Sequence, residues 1–103
     1  MKEVDASDCL VHVNVCTNER TDGRSCCRKV GGQEFFELLK GRVKEAGLRG
    51  THWVTRTGCL GYCNDVGTTV AIHAHGKRSI WLTEVGLGDS DEVWRLMLEA
   101  ASR

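Results

Sequence analysis

The chain has 103 residues, a formal net charge of zero, 41% hydrophobic residues and 27% charged ones. That suits one folded domain with one core, and it argues against a disordered chain. It offers no global basic field for a phosphate backbone, so nucleic acid is not an expected partner, and no apolar run approaches the roughly 18 residues of a membrane span.

Residues 1–9 read as an N-terminal tail and 10–103 as a single domain. The polar, acidic start lacks the apolar stretch of a secretory signal, which points to the cytoplasm. Leu10 to Cys16 alternates, with Val11, Val13 and Val15 on one face, as a strand with one buried side does. Thr17 to Arg28 is a polar loop. Gly31-Gly32 then introduces a helix over Gln33 to Ala46, with Phe36, Leu39, Val43 and Ala46 at helical spacing and Gly47 as its stop. Gly41 inside it costs about 1 kcal/mol. Thr51 to Thr57 is β-branched and aromatic enough for a second strand. A glycine-rich loop over Gly58 to Gly67 follows, then a strand over Thr68 to Ala74. A turn at Gly76-Lys77 leads into Ser79 to Leu82. Asp89 to Glu92 reads as a capping box before a last helix striped by Val93, Leu96, Met97 and Ala100. The order βαβ-ββα gives an α/β (α+β) domain with a mixed four-stranded sheet and two main helices.

Six cysteines make three disulfides conceivable. Strong helix and strand patterns without an export signal favour thiolates, and with them a metal or an iron–sulfur cluster. Cys16, Cys27, Cys59 and Cys63 are separated by ten, thirty-one and three residues. Parallel strands of a βαβ unit end on the same edge of the sheet, so Cys16, closing the first strand, and Cys59, just past the second, are expected to meet. Gly58 and Gly61 allow the bends a Cys-x3-Cys loop needs. Cys9 lies seven residues before Cys16 along the strand, on the order of 23 Å away, and is read as a packed or surface thiol. Cys26 and Cys27 point opposite ways on an extended segment, so one of them faces the metal; the residues alone do not choose.

His12, His73 and His75 alternate away from the valine stripe and read as polar surface; His52 is an equally weak ligand. Trp53, Trp81 and Trp94 read as core or dimer-interface residues. Arg20, Arg24, Arg28 and Lys29 read as solvated loop charges, although positive charge there would favour a reduced, more negative cluster; Asp22 and Asp65 oppose it. No Ser-His-Asp pattern, phosphate loop or carboxylate pair is present, so an enzyme is not expected.

The chain resembles the thioredoxin-like [2Fe–2S] ferredoxins from about His12 to Leu98. The resemblance rests on Val13-Asn14-Val15-Cys16-Thr17-Asn18, Ser25-Cys26-Cys27 with Gly31-Gly32, Thr57-Gly58-Cys59-Leu60-Gly61-Tyr62-Cys63, and Ile80-Trp81. It implies a thioredoxin-like fold, a [2Fe–2S] cluster on four cysteine thiolates, one-electron transfer between redox partner proteins, and a homodimer. The family's spacing to the small residue opening the helix favours Cys27, with Cys26 as the alternative. The chain departs from the family where Gly67 is followed by Thr68 instead of proline. Two other readings are a zinc-bound structural module, for which the ten-residue gap is long, and a thioredoxin-like thiol redox protein, for which Cys-x-x-Cys is missing.

Overall fold

The computed structural model describes residues 1–19, 29–62 and 66–102. Strand β1 (Val11–Cys16) leads to helix α1 (Gly32–Glu45), then β2 (His52–Thr57), β3 (Thr68–Ala74), β4 (Ile80–Val85), a 3-10 turn over Leu87–Asp89 and helix α2 (Ser90–Ala101). The sheet order is β2-β1-β3-β4. β1 and β2 run parallel, and β1–β3 and β3–β4 are antiparallel. This is the expected mixed sheet with two main helices. No helix among the described residues is long and apolar enough to cross a membrane.

The core forms where alternation on the strands meets the helical stripes. Val11, Val13 and Val15 join Val54, Val70 and Ile72 on one sheet face, and Phe35, Leu39, Val43, Val93 and Met97 close over them. Helix α1 buries Phe35, Leu39 and Val43, with Gly32 in the same stripe. Phe36 sits at its flank and Ala46 is exposed, as the C-cap. The expected stripe was therefore one residue off at its N-terminal end, because two adjacent phenylalanines satisfy the period almost equally. Gly47, at φ 71, ends the helix as expected, and its amide donates to the Lys44 carbonyl at 3.1 Å. β4 runs on to Val85, past the expected Leu82.

The capping box expected over Asp89 to Glu92 is not formed. Asp89 makes no side-chain cap for α2. Its Oδ2 instead accepts from the Gly86 amide at 2.9 Å, one residue before the 3-10 turn. Glu92 pairs with Arg95. The two helices meet on the same side of the sheet, where Arg42 pairs with Asp91 at 2.9 Å and lies 4.5 Å over the Trp94 ring.

Among the described residues, no helix packs on the opposite sheet face. The strand register lays two rows across it: Trp53, His12 and His73, then Thr55, Asn14, Ala71 and Trp81. None of these seven is Asp, Glu, Lys or Arg. Trp53 is 37% exposed and Trp81 45% exposed, which removes both from the core, whereas Trp94 is half-buried. His12 and Trp53 meet edge to face at 5.9 Å, and His73 and Trp81 at 6.2 Å. Thr55 donates to the Asn14 Oδ1 at 2.6 Å, so its oxygen accepts from the His12 Nε2, 2.9 Å away. Burial, followed by the neighbouring His73, holds the His12 pKa below its ordinary value.

Candidate metal centre

Two of the predicted ligands lie in the described residues, and both are on one sheet edge. Cys16 is the last residue of β1 and pairs in register with Thr57, the last residue of β2. Cys59 follows Thr57 by two residues. Paired strands run about 4.8 Å apart, so the two cysteine-bearing chain ends leave the sheet side by side. This is the convergence that a parallel βαβ unit demands. Cys26, Cys27 and Cys63 lie outside the described residues, as do Arg20, Arg24, Arg28, Asp22 and Asp65. Among the described residues no three His, Cys, Asp or Glu side chains gather as a metal site.

The edge is laced by hydroxyls that residue patterns did not single out. Beyond the last register pair, the Thr17 amide donates to the Thr57 carbonyl at 3.0 Å. Thr68, fully buried at the start of β3, donates its hydroxyl to the Cys16 carbonyl at 2.7 Å. Cys16 is itself fully buried, whereas Cys59 is exposed. One sulfur position thus lies inside the protein and one at its surface.

The donor chemistry of the Cys59 loop suits a thiolate-held group. Gly61 adopts φ 89, a left-handed conformation open to glycine. Its amide donates to the Cys59 Sγ at 3.3 Å. Backbone N–H groups aimed at sulfur stabilise negative charge there and are one means by which a protein tunes an iron–sulfur centre. The Tyr62 carbonyl accepts from the Thr69 hydroxyl at 3.3 Å. Gly67 closes the loop against β4, where a Cβ would come within 2.5 Å of the Glu84 carbonyl carbon and 2.6 Å of the Val85 amide nitrogen. The only sequence signal for that contact is a glycine placed directly before a strand.

The remaining thiol and imidazoles stand apart. Cys9 precedes β1, at the end of the strand opposite Cys16. Its thiol donates to the Val11 carbonyl at 3.4 Å, and burial pushes its pKa up. His52, buried at the start of β2, lies 2.7 Å from the Thr51 hydroxyl. His73 is held by Ser79 at 2.8 Å. Lys29 is exposed.

No family model matches the chain, and no curated protein does. Solved structures do match. The wild-type thioredoxin-like [2Fe–2S] ferredoxin from Aquifex aeolicus superposes with a TM-score of 0.74 at 27% identity, over 91% of this chain and 90% of that one. A second structure of a thioredoxin-like [2Fe–2S] ferredoxin from the same organism gives 0.73 at 27% identity, over 92% and 86%. A cysteine-to-serine variant of the Aquifex aeolicus protein gives 0.71 at 28% identity, over 86% and 87%. With its mixed sheet, its two helices and Cys16 and Cys59 at the shared edge of β1 and β2, the chain is a structural relative of the thioredoxin-like [2Fe–2S] ferredoxins over about nine-tenths of its length.

Proposed function

We propose that the protein is a small [2Fe–2S] ferredoxin that carries one electron at a time between redox proteins, with its cluster held by the thiolates of Cys16, Cys27, Cys59 and Cys63. The observation that carries this reading is the register of β1 and β2, which pairs Cys16 with Thr57, two residues before Cys59, in a chain that superposes on such a ferredoxin over nine-tenths of its length. Cys27 and Cys63 complete the set by their spacing, with Cys26 as the alternative to Cys27. When bound, the cluster supplies the electron capacity. The chain's part is to hold the sulfurs, to direct the Gly61 amide at Cys59, and to keep Cys16 away from water while Cys59 stays at the surface where a partner docks.

The protein acts in the cytoplasm, where thiols stay reduced, with other proteins as electron donor and acceptor, and without nucleic acid or membrane. It works as a homodimer. The uncharged rows of the open sheet face, with Trp53 and Trp81 exposed on them, support that part: interface cores are depleted of charge and enriched in aromatic residues. A face without charge can also meet its own copy without repulsion, as a two-fold interface requires.

Anaerobic reduction followed by mixing with an oxidised one-electron acceptor protein tests the carrier role. The expected result is transfer of one electron per chain, with the cluster spectrum regained. A chain that takes up its cluster but reduces no acceptor protein contradicts the carrier role, leaving a sensor or accessory domain.

A further inference from the structure

The loop that carries Cys59 and Cys63 is glycine-rich, with Gly58 and Gly61 inside it and Gly67 at its exit. Its single aromatic residue, Tyr62, stands directly before Cys63 and is 57% exposed. An exposed ring here gains little from burial, yet it does not point freely into water. It packs against Trp81 of β4, with ring centroids 5.9 Å apart and a tilt of 59°. Trp81 in turn meets His73 edge to face, and His73 lies 2.8 Å from the Ser79 hydroxyl. β4 also receives the loop's exit, where Gly67 lies against Glu84 and Val85. Glu84 takes φ 57, rare for a residue with a side chain, at the irregularity that shifts the β3–β4 register.

We infer that Trp81 is a positioning residue for the ligand loop, holding through the Tyr62 ring the chain that follows Cys59 and thereby the geometry around the cluster. The inference rests on the ferredoxin reading proposed above. Offset or tilted aromatic pairs add stability beyond their buried area. Loss of the ring is therefore expected to raise the open fraction of the loop roughly two- to twelve-fold.

The test compares Trp81→Ala, Trp81→Phe and Trp53→Ala with the wild-type chain, each checked for intact secondary structure by far-ultraviolet circular dichroism. Trp53→Ala is the control. It removes the same residue type from the same open face, on β2 instead of the strand under Tyr62, so it reports any effect of dimer weakening alone. In the metal-free, reduced full chain, chymotryptic cleavage after Tyr62 is followed by mass spectrometry. Trp81→Ala is expected to speed it about two- to twelve-fold, while Trp81→Phe and Trp53→Ala stay near the wild-type rate. In the chain loaded with iron and sulfide, Trp81→Ala is expected to change the visible circular dichroism and the midpoint potential, with Trp81→Phe restoring both. Wild-type cleavage rates in Trp81→Ala, an unchanged potential and spectrum, or equal changes in Trp53→Ala overturn the inference. A wild-type chain that takes up no cluster sinks the ferredoxin reading instead, and the cleavage arm then decides by itself whether Trp81 holds the loop.

Discussion

Cys9 and Cys16 bracket β1 in different surroundings. Cys9 packs its thiol on its own backbone, where burial disfavours the thiolate, while Cys16 ends the strand at the edge shared with the Cys59 loop. Cys9→Ala is therefore expected to leave the visible spectrum unchanged, and Cys16→Ala and Cys59→Ala to abolish or grossly alter it. Iron content and absorption of each variant check this, and Cys26→Ala beside Cys27→Ala shows which of that pair binds. A second prediction at this scale concerns acid. His12 and His52 both have pKa values lowered from 6.5, each mainly by burial. The unfolded chain protonates these rings first, so their contribution is complete above about pH 6.5 and falls away as the pH drops from there through their folded values. His12→Asn is expected to flatten the loss of stability below pH 6.5, as read from urea midpoints at pH 7.5 and pH 5. A slope equal to the wild type's contradicts the account. The position of Cys16 was legible in the sequence because strand alternation and βαβ topology are strict rules. The choice between Cys26 and Cys27 was not, because adjacent residues on an extended segment differ only in direction.

Among the elements, α1 and the exit of the cysteine loop give contrasting glycines. Gly41 sits inside α1 with open space where a side chain would go. Gly41→Ala is expected to stabilise the protein by about 1 kcal/mol, through helix propensity and a less flexible unfolded chain, which thermal melts will show as a higher midpoint. At Gly67 a Cβ would strike the backbone of β4. Backbone cannot turn aside as a side chain can. Gly67→Ala is thus expected to cost on the order of 1–3 kcal/mol and to disturb the loop it closes; an unchanged melt contradicts the contact. Periodicity located both helices and all four strands, since the core faces are long and regular. It misassigned the first turn of α1, where Phe35 and Phe36 compete for one stripe, and the start of α2. There Asp89 bonds back to Gly86, a choice made by the preceding 3-10 turn and invisible in a four-residue motif.

At the scale of the whole molecule, one sheet face makes the core with both helices, and the other carries two rows that hold Trp53 and Trp81 and no Asp, Glu, Lys or Arg. Sequence showed the first through the valine stripe. The second was hidden, because tryptophans read equally as core or interface until the register puts Trp53 and Trp81 on the same face away from the helices. If that face holds two copies together, Trp53→Ala should shift sedimentation toward the monomer while the cluster spectrum stays as it was. A wild-type chain that sediments as a monomer across a wide concentration range contradicts the dimer. The central claim, however, is the cluster at the edge of β1 and β2, and it is tested most directly by counting iron and acid-labile sulfide in anaerobically purified protein alongside its absorption and EPR spectra. The account predicts a red-brown protein with two iron and two sulfide per chain, EPR-silent when oxidised and paramagnetic after uptake of one electron. A colourless protein holding zinc, or no metal even after reconstitution, would contradict it.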